Sequence, residues 1–239
     1  MRSALLIELG PVDYLAALNL QRELQRLRHT ETIPDTLLLV EHPPVITLGH
    51  RAKKTNLLVS EEELARQGIK IYQIERGGDI TYHGPGQLIG YPIFRLSAPL
   101  LGIRCFVENV ESALVFALKK LGVIAQTKPK LIGVWVGEKK IASIGIAVHN
   151  HITLHGFALN VRGDLAGFQL INPCGLDSTV MTNIEQLRGV TAPQTVRRAV
   201  VAGFERSFKI RFQRKLPRSL TSRTNQLSSF WNSSASARE

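Results

Sequence analysis

Leu20, Leu24 and Leu27 recur at helical spacing in "YLAALNLQRELQRLRH", with charged residues on the opposite face and Pro11 and Asp13 just ahead. An apolar stripe behind such a start signal predicts a helix at about 12–29. "DTLLLVEHPPVITLG" holds two short apolar runs separated by Pro43 and Pro44, which predicts a strand, a turn and a strand. Ser60 followed three residues later by Glu63 forms a capping box, opening a short helix that ends near Gly68. Ile69, Ile71 and, with a slip, Ile74 then suggest a strand that delivers the chain to "RGGDITYHGPGQLIGYPIF".

Val107, Val110, Leu114, Leu118 and Leu121 form the clearest helical stripe, closed by Gly122. "LIGVWVGEKKIASIGIAV" reads as two strands joined at Gly137 and Glu138, and "HITLHGFALNV" as a third. A last amphipathic helix is expected near 195–208. Pro217 opens a tail with seven serines in 23 residues, which predicts disorder over 217–239. No repeat or linker divides residues 1–216. The pattern therefore predicts one α+β domain, a mixed central sheet packed with helices.

Composition narrows the setting. The apolar runs fall short of the roughly 18 residues of a membrane span, and Glu8 and Asp13 interrupt the N-terminal apolar stretch, so a cytoplasmic protein is expected. Two cysteines, Cys105 and Cys174, are then free thiols rather than a bridge. The net charge is +11, and nine basic residues against one acidic between Arg197 and Arg223 supply +8 of it. That stretch suits a solvated basic face or a surface for an acidic protein partner. No zinc-finger spacing or RNP-type aromatic motif accompanies it, so a nucleic-acid partner is not expected.

The glycine-rich stretch carries the chemistry. It lacks the lysine and hydroxyl of a P-loop, and Pro85 and Pro92 forbid a long helix whose N-terminus could hold an anion. The remaining reading is a surface stripped of side chains so that an elongated apolar ligand can lie on it, with Arg76, Thr81, Tyr82, His83 and Gln87 as polar contacts. Cys174 in "INPCGLDST" is the better nucleophile candidate, because Cys105 precedes an amphipathic helix and packs most simply as a small hydrophobe. A thiol needs a nearby positive charge to ionise at neutral pH. Lys139 and Lys140 open a strand and point to opposite faces, so only one can face a pocket. His149, His151 and His155 mimic metal-ligand spacing, but no cysteine pair or acidic cluster completes a site, and no metal is expected.

Taken in order, "RGGDITYHGPGQLIGYPI", "GVWVGEKKIASIGI", "LHGFALNV" and "INPCGL" resemble the lipoyl(octanoyl) transferases of protein lipoylation, over most of residues 1–210. The resemblance implies the fold of biotin and lipoate protein ligases, with residues 1–216 as the catalytic domain. It implies transfer of an octanoyl group from acyl carrier protein to a lysine of the lipoyl domains of 2-oxoacid dehydrogenase complexes and of glycine cleavage H protein. No ATP, cofactor or metal is implied, and the enzyme is expected to be monomeric. Carried onto this sequence, Cys174 matches the nucleophile and Lys140 its activating partner. Arg76, Gly77, Gly78, Asp79, Ile80, Thr81, Tyr82 and His83 match one substrate-binding segment; Ser143, Ile144 and Gly145, and Gly156, Phe157 and Ala158, match two more. His83 and His155 would have polar positioning roles. An ATP-dependent lipoate ligase of the same fold is the alternative that would not need Cys174, and a basic nucleic-acid binder is a further one.

Overall fold

The computed structural model describes residues 1–97, 99–173 and 180–214, with residues 99–101 described by their backbone alone. Cys174 and the serine-rich tail lie outside the described residues. The chain opens on strand β1 (Arg2–Pro11), which the sequence reading had not assigned. Asp13 then starts helix α1 (Tyr14–His29), its carboxylate accepting the N–H groups of Leu15 and Ala16 at 2.9 and 3.3 Å. Strands β2 (Thr36–Glu41) and β3 (Val45–Leu48) follow, then helix α2 (Glu61–Arg66) and strands β4 (Lys70–Gln73), β5 (Ile80–His83) and β6 (Gln87–Ile93). Half of the expected capping box forms at α2. Ser60 accepts the Glu63 N–H at 3.2 Å, while the Glu63 side chain accepts from Gln67 at 2.8 Å.

Helix α3 (Pro99–Lys120) leads to β7 (Gln126–Lys128), β8 (Leu131–Val136), β9 (Lys139–His149) and β10 (Ile152–Asn160). Helices α4 (Ile184–Arg188) and α5 (Pro193–Phe208) precede β11 (Ile210–Gln213). The α3 helix starts earlier than its apolar stripe, so Cys105 lies within it and is exposed, not packed as a small hydrophobe. Its neighbour Phe106 takes the buried position instead.

The main sheet has the order β11-β1-β2-β6-β10-β9-β8-β7, and a smaller one has the order β4-β3-β5. The two strands flanking Pro43 and Pro44 therefore part company: β2 enters the large sheet and β3 the small one. Prolines cannot donate to a ladder, and here they mark the crossing. Helices α3 and α5 pack together over one face of the main sheet, where Phe94, Phe157 and Phe204 are buried. Helix α1 covers the other face through Leu18, Leu24 and Leu27, beside Leu38, Ile89 and Ile93. The small sheet lies on that second side, since Tyr72 of β4 stacks on Tyr14 of α1 with ring centroids 5.4 Å apart. Among the described residues no helix is long and apolar enough to cross a membrane.

Candidate active site

β8 pairs with β9 only as far as Ala142, so the outer edge of β9 beyond that residue is open. The glycine-rich loop docks there, with the Gly77 N–H donating to the Ile146 carbonyl at 2.9 Å. A cavity of about 640 Å³ lies between this loop, the small sheet and the main sheet around β9, and reaches Ile103 and Val107 of α3.

Most of the residues expected from sequence surround this cavity. Arg76, Gly77, Gly78, Asp79, Thr81 and His83 line it from the loop and β5; Ser143, Ile144 and Gly145 from β9; Gly156, Phe157 and Ala158 from β10. Lys140 and Pro173, the residue before Cys174, border the same space. Ile80 and Tyr82 do not line it. They alternate with Thr81 and His83 along β5 and so face away, Ile80 fully buried in the satellite core and Tyr82 against Phe168 at 5.7 Å between ring centroids.

The polar residues of the loop bind mainly the protein. Arg76 donates to the Thr47 carbonyl at 2.7 Å and to the Gly77 carbonyl at 3.1 Å, fixing the loop to β3. Asp79 accepts the N–H groups of Lys53 and Ile80 at 3.1 and 2.7 Å and the side-chain amide of Asn56. Gln87 serves His83, accepting from its Nδ1 at 3.2 Å, and burial lowers the His83 pKa to about 3. A neutral imidazole results at pH 7.

Pro92 explains the neighbouring strand. In the register that pairs Phe157 with Gly90, His155 stands opposite Pro92, which has no N–H to give. The ladder breaks at that position, and Thr153 resumes it by donating to the Phe94 carbonyl at 2.9 Å. Freed from the ladder, His155 adopts a left-handed backbone with φ 60, and its N–H donates to Gln21 Oε1 at 3.0 Å. Buried non-glycine residues with φ > 0 cost free energy and cluster at functional sites. The imidazole of His155 lies 3.6 Å from the Glu75 carboxylate, whose pKa falls to about 2, chiefly because of this histidine. Burial lowers the His155 pKa as well. At Gly156 a Cβ would sit 2.0 Å from the Gly90 carbonyl oxygen. At this position, glycine makes room for the protein's own backbone rather than for a ligand.

Lys140 and Lys139 divide as strand alternation requires: Lys140 is 6% exposed and Lys139 faces solvent. The Lys140 chain crosses Gly133, where a Cβ would fall 2.7 Å from its Cε, and its ammonium lies 5.4 Å from the centroid of Trp135. Gly133 and Trp135 of "GVWVG" are thus shaped to the lysine. Trp135 also takes the Lys128 ammonium at 4.8 Å, and Lys128 is paired with Glu138 at 2.6 Å. Sequence reading missed Tyr14, Asn56, Tyr91 and Trp135, which line the cavity, and His42 and Glu75, which hold Tyr91 and His155 from behind it. Of these Tyr91 and Trp135, both within quoted motifs, carried a local signal. Among the described residues, no three His, Cys, Asp or Glu side chains gather as a metal site; His149 and His151 are exposed.

Comparison with known proteins fits this geometry. The family model described as "Lipoyl protein ligase A/B catalytic domain" matches residues 13–205. An octanoyltransferase of Caldicellulosiruptor bescii is 49% identical over 185 residues, covering 77% of this chain and 81% of that protein. One from Syntrophobacter fumaroxidans is 43% identical over 219 residues, covering 91% and 96%. Among solved structures, a putative lipoate protein ligase of T. acidophilum with bound lipoic acid matches with a TM-score of 0.74 at 19% identity, over 96% of each chain. Lipoate-protein ligase A bound with ATP matches at 0.71 and 20% identity, over 96% of this chain and 95% of that one. These structural likenesses carry the fold; the sequence relatives carry the branch. The chain belongs to the octanoyltransferases of the lipoyl protein ligase A/B catalytic-domain family, and it is an acyltransferase.

Proposed function

We propose that the protein moves an octanoyl group from the thioester of acyl carrier protein to a lysine of lipoyl domains, through a thioester on Cys174. The observation that carries this reading is the buried Lys140 bordering the same cavity as Pro173, next to Cys174 in the chain. The reaction starts from a Cys174 thiolate beside a Lys140 ammonium. The thiolate attacks the donor's carbonyl carbon, and the carrier's thiolate leaves with a proton from Lys140. Neutral Lys140 then takes a proton from the acceptor amine as that amine attacks the enzyme thioester and expels the Cys174 thiolate. The pair returns to its starting charges, and an amide has replaced a thioester.

The cavity supplies the rest. Strand faces of small residues receive the acyl chain, and the polar groups of the loop hold the walls in place. Acceptors are the lipoyl domains of 2-oxoacid dehydrogenase complexes and glycine cleavage H protein, and the enzyme works as a cytoplasmic monomer with no cofactor. Residues 1–216 form the catalytic domain. Docking of an acidic carrier falls to Arg51, Lys53 and Lys130, three exposed cations on the cavity rim. The basic stretch expected for that role lies elsewhere: its described part is on α5 and β11, at the opposite edge of the sheet from β9. There Arg211 and Arg214 are already paired with Glu205 and Glu8.

The test is incubation with octanoyl-acyl carrier protein and an apo lipoyl domain, with and without ATP. Octanoyl-domain should form equally in both. A product that appears only with free acid and ATP would instead make the protein a ligase.

A further inference from the structure

Ile103 and Val107 of α3 border the cavity, and Glu111 is the next residue of that i, i+4 row. It is a half-buried acid outside every quoted motif. Its carboxylate accepts the Gly133 N–H at 2.8 Å, just before the pairing of β8 with β9 shifts register between Val134 and Trp135. Gly133 has φ 128, which favours glycine, and a Cβ there would lie 2.7 Å from Cε and 3.4 Å from Nζ of Lys140. A backbone nitrogen sits about 2.5 Å from its own Cβ, so the Lys140 ammonium is within about 9 Å of the Glu111 carboxylate. The Trp135 ring also borders the ammonium, at 5.4 Å.

Other charges near this pair have their own partners or point elsewhere. Glu108, a turn earlier on α3, is paired with Arg104 at 2.9 Å, and Lys128 of β7, which shares the Trp135 ring, with Glu138 at 2.6 Å. Arg206 of α5 lies over Phe116 at 5.0 Å, Lys130 stands on the cavity rim, and Lys139 of β9 faces solvent. Burial and the Glu108 charge push the Glu111 carboxyl up from its ordinary range, while the Gly133 N–H and the Lys140 charge pull it down.

We propose that Glu111 is a positioning residue for acyl transfer: it seats Gly133 against Lys140 and supplies the negative charge that keeps this lysine an ammonium until it gives its proton to the leaving thiolate. The proposal rests on the acyl-transfer reading above. Glu111 acts through Lys140 and not on the reacting atoms. Removing a negative charge favours proton loss from every group nearby, so without Glu111 both ionisations of the Cys174 and Lys140 pair should fall to lower pH.

The experiment measures the pH profile of enzyme acylation by octanoyl-acyl carrier protein, and that of Cys174 alkylation by iodoacetamide in the Cys105→Ser background. Glu111→Gln keeps an acceptor for Gly133 and removes the charge. Both limbs of its acylation profile, and its alkylation midpoint, should move to lower pH by about half a unit to one unit, as expected for partly screened charges within that distance. This is the reverse of the change expected at Cys174 when Lys140 is lost. Glu111→Ala should shift as far and also slow acylation severalfold, so either neutral variant reads the effect should the other not fold. Glu111→Asp, which keeps the charge, should leave the limbs at their native positions. An acylation profile or alkylation midpoint that stays in place in a folded neutral variant overturns the proposal, even if rate or stability is lost. Native protein that the donor does not acylate overturns the transfer reading instead, and the alkylation midpoint still decides whether Glu111 acts on the pair.

Discussion

The backbone N–H of Asn172 donates to the carbonyl of Asn56 at 2.8 Å, two residues before Cys174. Asn56 is itself gripped by Asp79 of the glycine-rich loop, through its side-chain amide. Two segments far apart in sequence are therefore fastened to each other beside the cavity. The carboxylate of Asp79 performs a clamping role that its place in a substrate-binding motif conceals.

This clamp predicts a split between two substitutions. Asp79→Ala removes the acceptor of three donors and should lower stability by about 2–3 kcal/mol, as expected when hydrogen bonds to a charged group are lost. Asn56→Ala leaves Asp79 two of its partners and should cost about 1 kcal/mol, yet lower kcat severalfold with little change in KM, because the tie to the Asn172 segment loosens. Urea unfolding and steady-state transfer assays measure both. An Asp79→Ala protein with an unchanged midpoint would refute the clamp.

Exposure of Cys105 on α3 sharpens the test of the nucleophile. After treatment with octanoyl-acyl carrier protein, intact-mass spectrometry should show one hydroxylamine-sensitive adduct, retained in Cys105→Ser and absent in Cys174→Ser. An adduct that persists in Cys174→Ser would move the nucleophile elsewhere.

Lys140 and Lys139 supply a matched pair. Lys140→Ala should raise the Cys174 thiol toward its reference pKa of about 8.5 and slow iodoacetamide alkylation at neutral pH, measured in the Cys105→Ser background. Lys139→Ala, on the solvent side, should leave the titration where it was. Trp135→Phe keeps an aromatic face under the Lys140 ammonium and should lose less activity than Trp135→Leu, since a desolvated cation–π contact is worth up to about 2 kcal/mol. Equal losses in the two variants would show that the ring is a filler.

Stability should fall in mild acid. Burial lowers the pKa of His42 to about 4 and of His83 to about 3, from an ordinary 6.5. Between pH 6.5 and 4 the unfolded chain binds more protons at these sites than the folded one. Their contribution is complete above about pH 6.5 and is lost as the pH falls, at up to about 1.4 kcal/mol per pH unit for each group. Urea unfolding at pH 4.5–6 reads the slope, and His42→Gln should lower it without abolishing it, since burial lowers the pKa values of His83 and His155 as well. Glu75, lowered to about 2 from 4.5, acts only below this window.

By itself the sequence determined the elements with strong periodicity: α1, α3 and α5 from their apolar stripes, and β8, β9 and β10 from alternation around short turns. It also pointed to the loop, lysine and cysteine motifs, because residues such as Gly77, Lys140 and Pro173 are marked by unusual local composition. Period-two alternation was enough to separate Lys139 from Lys140. The same rule, applied to β5, would have removed Ile80 and Tyr82 from the cavity, had that stretch been read as a strand; its glycines and prolines hid it. Tertiary structure alone decided the rest. Which strands share a sheet depends on long-range pairing, so nothing near Pro43 and Pro44 reveals that β2 and β3 separate. The break at His155 exists only because the ladder sets Pro92 opposite it, 63 residues away in the chain. Tyr91, in the glycine-rich motif, and His42, just after β2, become each other's hydrogen-bond partner only when folding buries both.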